Sequence, residues 1–109
     1  MNAEIQSYIE KYPVQIREMF VRMRALLPEA ANGDIEEKLW ARLPSYYRGE
    51  KFVRLIPFKD HINVEALATL AHREELSGYK ITPKGMLQIF ADQALPTDAL
   101  TRIFRETLI

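Results

Sequence analysis

A chain of 109 residues that is 48% hydrophobic and 28% charged has the size of one globular domain, 1–109, with a single core. Its 15 basic and 15 acidic residues cancel in charge, so no overall electrostatic field favours nucleic acid or an anionic membrane as a partner. No run of about 18 apolar residues is present to span a membrane. The absence of cysteine excludes disulfides and thiolate metal sites, and a start without a basic and then apolar leader makes the cytoplasm the expected location.

The first 28 residues predict two helices. Ile5, Tyr8 and Ile9 indicate a short helix, for which Asn2 is a suitable N-cap. From Ile16 onward, apolar residues recur at steps of three and four, which predicts an amphipathic helix over 13–28 that opens and closes at prolines.

Strands follow a loop built around Asn32-Gly33-Asp34. "KLWARL", 38–43, alternates Leu39, Ala41 and Leu43 with Lys38, Trp40 and Arg42, which is typical of a strand with one buried face. "SYYRGEKFVRLIPF" predicts a hairpin that turns at 48–50, with Val53 and Leu55 on the buried face. "HINVE" continues the alternation, with Ile62 and Val64 inward.

The last 44 residues, 66–109, predict helix, strand, strand and helix. The stretch 66–76 is rich in Ala and Leu, so a helix is expected there with Leu67, Leu70 and Ala71 on one side. Strands are expected at 79–81 and 86–90, and Pro96 begins a closing amphipathic helix with Leu100, Ile103, Phe104 and Leu108 in its buried stripe. The order favours an α+β domain, an antiparallel sheet of about five strands with the N- and C-terminal helices packed on one face.

The other face of this sheet has an unusual composition for a solvated surface, because it combines large aromatic residues with Arg, His and Glu. Its outward positions are Lys38, Trp40, Arg42, Phe52, Arg54, Ile56, Phe58, His61, Asn63, Glu65, Met86, Gln88 and Phe90. A small ligand, a peptide or a second copy of the chain could cover this face, and so could the helix after "HINVE" or a loop. The candidate ligand-binding residues are Trp40, Arg42, Arg54, Phe58, Lys59, His61 and Glu65.

His61 is the most reactive side chain in this set, since imidazole titrates near neutral pH. Neighbours on a strand point to opposite faces, so Asp60 is expected to be poorly placed to hold its ring, and no catalytic role is assigned. A closed zinc site is not expected from two histidines without cysteine, but His61, Glu65 and His72 leave a weak Fe(II) site open. We expect no resident cofactor.

Several segments together resemble the YdhG-like family of small bacterial domains of unknown function, along nearly the whole chain. They are "IQSYIEKYPVQIREMFVRMRALL", "EEKLWARLPSYY", "FVRLIPFKDHINVE" and "YKITPKGMLQIF…LPTDAL". The family pattern matches Glu37, Pro44, Lys59, His61, Ile62, Leu95 and Pro96. The chain departs from this pattern at Ala41 and Arg42, where the family often has Tyr-Gly.

The resemblance implies a frataxin-like fold, in which an antiparallel sheet is backed by two helices. It also implies, as one of two alternatives, an intracellular iron chaperone that delivers Fe(II) for cluster or haem assembly. The leading hypothesis is a non-enzymatic cytoplasmic binding domain of this type, which uses its open sheet face for a small molecule, a peptide or its own copy. On this hypothesis Trp40 and Phe58 provide apolar contact, Arg42 and Arg54 bind an anionic group, and substitution of Arg54 by Ala abolishes binding but not folding.

Overall fold

The computed structural model describes residues 1–109 as a six-stranded antiparallel sheet and four α-helices. The helices are α1 (Ala3–Ile9), α2 (Val14–Arg24), α3 (Leu27–Ala30) and α4 (Thr97–Leu108). The strands are β1 (Glu36–Trp40), β2 (Leu43–Arg48), β3 (Lys51–Pro57), β4 (His61–Ala66), β5 (Lys80–Ile81) and β6 (Leu87–Phe90). They lie in the order β1-β2-β3-β4-β6-β5, and a 3₁₀ segment (Leu67–His72) follows β4.

The core lies between the three central strands and the helices, which pack on one side of the sheet. Inward residues of β3, β4 and β6 are fully buried there, namely Val53, Leu55, Ile62, Val64, Leu87 and Ile89. Helices α2 and α4 both contact β3 and β4, with Phe20 and Phe104 among the largest buried side chains. The α+β class and the inward faces of these strands are therefore confirmed, with six strands in place of about five. None of the helices has both the length and the apolar character that crossing a membrane requires.

The N-terminal segment is tied to the edge strand β1. As expected, Asn2 caps α1, because its Oδ1 accepts a hydrogen bond from the Ile5 N–H at 2.8 Å. Its Nδ2 donates to the Glu37 carbonyl oxygen at 2.9 Å, and its backbone N–H donates to Glu37 Oε1 at 2.8 Å. Arg24 of α2 holds both oxygens of the same carboxylate. Burial disfavours the charged form, but the hydrogen bonds from Arg24 and Asn2 outweigh it and lower the pKa of Glu37.

Two expected helices have different bounds. The helix expected over 13–28 divides into α2 and α3, because Pro28 has no N–H to donate and suits the first turn of a new helix. The helix expected over 66–76 is replaced by the 3₁₀ segment and a series of turns. Ala68 N–H donates to Thr107 Oγ1 of α4 at 3.1 Å, so this segment lies against α4 and does not cover the far face of the sheet.

The 3₁₀ segment exposes two of its leucines to solvent. Leu67 is 93% exposed and Leu70 is 51% exposed, whereas Thr69 and the later Leu76 are buried. Residues three apart eclipse one another in a 3₁₀ helix, so Leu67 and Leu70 still share a side, but this side faces away from the core.

The strand expected over 38–43 contains a turn. Ala41 (φ 50°) and Arg42 (φ 66°) both lie in the left-handed region and form a two-residue hairpin loop, across which Trp40 pairs with Leu43. Leu43 therefore lies on the same face as Trp40 and not inward, and Arg42 lies in the loop and not on the sheet. The second hairpin turns at Gly49 as expected.

We predict that Arg42→Gly stabilises the fold, because glycine adopts the left-handed conformation without the clash that a Cβ causes. The free energy of unfolding, measured by urea denaturation, should rise by roughly 0.5–1 kcal/mol. Gly49→Ala is the matched control, since Gly49 has nearly the same φ of 63°, and it should lower the free energy of unfolding. A loss of stability in Arg42→Gly would mean that the Arg42 side chain itself supports the hairpin.

Candidate functional site

The sheet surface opposite the helices, here called the open face, places Trp40, Arg54 and His61 on one side of the pleat. Directly paired residues of antiparallel strands share a face. The register pairs Trp40 with Leu43, Ser45 with Arg54, and Arg54 with Glu65. Side chains on this face are Glu36, Lys38, Trp40, Leu43, Ser45, Tyr47, Phe52, Arg54, Ile56, His61, Asn63, Glu65, Lys80, Gln88 and Phe90.

The centre of the open face is a guanidinium group packed between two aromatic rings. The Arg54 Cζ lies 4.1 Å from the centroid of the Trp40 ring and 3.9 Å from that of the Phe52 ring. Both distances are within the range of a cation–π interaction. Arg54 is only 7% exposed, so these rings and the strands below shield it from water.

Polar groups of neighbouring strands accept the hydrogen bonds of the buried guanidinium. Arg54 Nε donates to Ser45 Oγ at 3.1 Å, Nη1 donates to Glu65 Oε1 at 3.2 Å, and Nη2 donates to Tyr47 Oη at 3.2 Å. A buried cation must be paired in this way, because desolvation of an unpaired charge costs several kcal/mol. Arg54 therefore holds the rings and strands together, and its guanidinium is not an exposed anchor for an anion.

The imidazole of His61 is the second planar polar group of the open face that is packed between two aromatic rings. His61 lies between Phe58, at 4.5 Å between centroids with planes 7° apart, and Phe90, at 4.9 Å. Asp60 Oδ1 lies 2.7 Å from His61 Nδ1. This corrects the expectation that Asp60 could not hold the ring: Asp60 belongs to the turn before β4, so the alternation of a strand does not apply to it.

The remaining candidate residues gather at one end of the open face. Trp40 is 51% exposed and Phe58 is 42% exposed, and Leu43, Ile56 and Phe90 lie between or beside them on the paired strands. We call these five residues the aromatic end. Arg42 and Lys59 lie in the two turns at its rim, both exposed and without a carboxylate within ion-pair distance.

Ser45 and Tyr47 are site residues that the sequence reasoning did not identify. Both lie on β2, whose face was misassigned when the loop at 41–42 was taken as strand. The turn at Gly49 contained the missing information, because a hairpin closed there pairs Tyr47 with Phe52. Lys38 also lies over the Tyr47 ring, at 4.7 Å from its centroid.

The third residue considered for iron, His72, belongs to a different cluster. Its Nε2 lies 2.6 Å from Glu106 Oε2 of α4, and its Nδ1 contacts Glu75, which also pairs with Arg102 of α4. Both ring nitrogens thus contact carboxylates that join the 3₁₀ segment to α4. No group of three or more His, Asp or Glu side chains is arranged to hold a metal ion.

Comparison of the chain with protein-family models, with curated proteins and with solved structures found no match. Membership of the YdhG-like family and the frataxin-like fold therefore stay predictions.

We predict that Arg54→Ala lowers the free energy of unfolding by roughly 2–4 kcal/mol, since it removes two ring contacts and leaves buried Ser45 and the Glu65 carboxylate without their partner. Urea denaturation measures the change. Lys59→Ala, which removes an exposed cation at the rim of this face, is the control and should change stability by less than about 0.5 kcal/mol. Equal effects of the two substitutions would contradict a structural role for Arg54.

We predict a second, pH-dependent contribution to stability from His72. The hydrogen bond to Glu75 raises the pKa of His72 above 6.5, burial opposes this, and Glu106 adds to it. A group whose pKa is raised in the folded state stabilises the fold fully at pH values below its pKa in the unfolded state. This stabilisation disappears as the pH rises through its pKa in the folded state. The stability difference between the wild type and His72→Gln, measured in urea from about pH 5.5 to about pH 9, should therefore shrink with pH. A constant difference would disprove the linkage.

Proposed function

We propose that this chain is a non-catalytic binding domain that docks an acidic, apolar peptide segment on the aromatic end of its open face. The observation on which the proposal depends is the exposure of Trp40 and Phe58, at 51% and 42%, on a sheet face that no helix of the chain covers. Rigid aromatic side chains are typical anchors of binding surfaces, because they bring a large contact area at a small cost in conformational entropy.

The surroundings of both rings support this role. Trp40 stacks on the Arg54 guanidinium, and Phe58 stacks on the His61 imidazole. Each ring is thus held by a polar group that itself has a hydrogen-bond partner, and its other surface is left to solvent. Preorganisation of this kind reduces the entropy that a partner must offset on binding.

The sheet edges favour docking on the face over the addition of a strand. Asn2 already occupies the Glu37 carbonyl oxygen on β1, and Lys80–Ile81, the strand at the other edge, has only two residues. An incoming strand needs a row of free N–H and C=O groups, which neither edge offers in full.

The rim favours an acidic partner. Arg42 and Lys59 have no carboxylate partner, whereas the nearby Asp60 carboxylate is taken up by His61. Unpaired cations around an apolar centre match a segment in which aliphatic or aromatic residues are flanked by Asp or Glu. Arg42 also keeps its strained conformation (φ 66°) at this rim, and such strain is commonly retained at functional positions.

Fe(II) delivery, the alternative implied by the resemblance, stays a prediction. It would need several oxygen or imidazole ligands around one point, and no observation made on this structure favours it.

The proposed function predicts saturable binding of a short peptide with alternating Leu or Phe and Glu. The emission of Trp40, the only tryptophan of the chain, should start red-shifted because the ring is exposed and move to shorter wavelength as the peptide covers it. Trp40→Ala, followed by amide NMR shifts, and Phe58→Ala should each weaken binding at least tenfold, which corresponds to about 1.4 kcal/mol.

Two controls distinguish this recognition from general adsorption. Val21→Ala removes an apolar residue on α2 that is similarly exposed, at 48%, and should leave binding unchanged. A peptide with Lys in place of Glu should bind more weakly. Equal binding of both peptides would disprove the role of Arg42 and Lys59, and sedimentation that shows dimers, with Trp40 buried between copies, would assign the face to self-association.

A further inference from the structure

A cleft of about 550 Å³ includes Phe52 and Glu65 of the open face but none of the five residues of the aromatic end. Its walls are the start of β3, the end of β4, the 3₁₀ segment and the turn before β6. The lining residues include Lys51, Phe52, Leu67, Leu70, Lys84 and Met86. The volume falls within the range of small-molecule sites, which is roughly 300–1,000 Å³.

The apolar wall of this cleft explains the unexpected exposure of two leucines. Leu67 and Leu70 turn away from the core and line the cleft, as do Phe52 and Met86. The turn at Gly85 (φ 87°) approaches Leu70 closely, since a Cβ at Gly85 would lie 3.6 Å from Leu70 Cδ1. Large apolar side chains at 93% and 51% exposure beside a cleft of this size are typical of a surface that a ligand covers.

The charged side chains of the cleft include a lysine that favours a negatively charged ligand. Glu65 is paired with Arg54, and the other charged side chains of the lining are Lys51, Lys84 and Glu50. Lys51 donates to the Ile109 carbonyl oxygen at 2.6 Å. Lys84 has no carboxylate within ion-pair distance. Lys84 is therefore the free cation next to an apolar surface.

We propose that this cleft is a second binding site, for a single-chain carboxylate such as a medium-chain fatty acid. The alkyl chain lies on Leu67, Leu70, Phe52 and Met86, and the carboxylate binds Lys84 with support from Lys51. A lysine ammonium and an apolar wall together recognise this class, because the ligand head is anionic and its tail gains from leaving water. This site is separate from the aromatic end, so it does not depend on the proposed function.

The test is a titration of the full chain with decanoate, below its micellar concentration, followed by amide NMR shifts. We expect saturable shifts confined to residues 50–52, 65–70 and 84–86. Lys84→Gln should weaken binding roughly five- to tenfold, and Leu67→Ser should weaken it at least as much. Leu67 is 93% exposed, so its substitution leaves the fold intact and a lost signal reports on the ligand.

A probe with the opposite head-group charge and a variant outside the cleft test whether the carboxylate is recognised at this site. Decylammonium has the same alkyl chain with a cationic head and should bind more weakly, while Phe58→Ala, which removes a ring that packs on His61 and does not line the cleft, should leave decanoate binding unchanged. Equal binding of decanoate and decylammonium would show that the cleft binds an alkyl chain whatever the charge of its head group, and this would overturn the proposal. Shifts at Trp40 and Phe58 without shifts at Leu67 would place the carboxylate on the aromatic end, which overturns this site but not peptide docking.

Discussion

The alternation of buried and outward residues along β3 and β4 is the constraint on which the rest of the structure depends. Val53, Leu55, Ile62 and Val64 are all removed from water under α2 and α4. Since side chains alternate with a period of two, burial of this set turns every second residue to the opposite face. A one-residue slip would expose the core residues, so the composition of the open face follows from the packing of the core.

The aromatic side chains of the open face are held in place without a covering layer of helices. Arg54 and His61 are planar polar groups, and each is inserted between two rings while neighbouring strands or turns accept its hydrogen bonds. The rings are thereby packed against partners in their own sheet. This arrangement packs the polar groups between aromatic rings and leaves the outer surfaces of Trp40 and Phe58 exposed to solvent.

The 3₁₀ segment connects this architecture to the cleft. It is attached to α4 through Thr107 and through the carboxylates around His72, so its polar side faces the protein and its leucines face outward. Thr69 is buried on the side of the segment that faces the protein. The contacts of the segment with α4 therefore leave Leu67 and Leu70 on the outer side, where they line the cleft.

The sequence alone was sufficient for the α+β class, the hairpin at Gly49, the buried stripe of α4 and the common face of Trp40, Arg54 and His61, because these depend on local periodicity and turn chemistry. Tertiary structure decided the loop at Ala41 and Arg42, the burial of Arg54 and the outward leucines of the 3₁₀ segment. Left-handed backbone at two non-glycine residues is not favoured by their local preferences, so only the pairing of β1 with β2 selects it. The partners of a side chain likewise come from strands that are distant in sequence, and periodicity identifies the face of a residue but not the groups that it meets there.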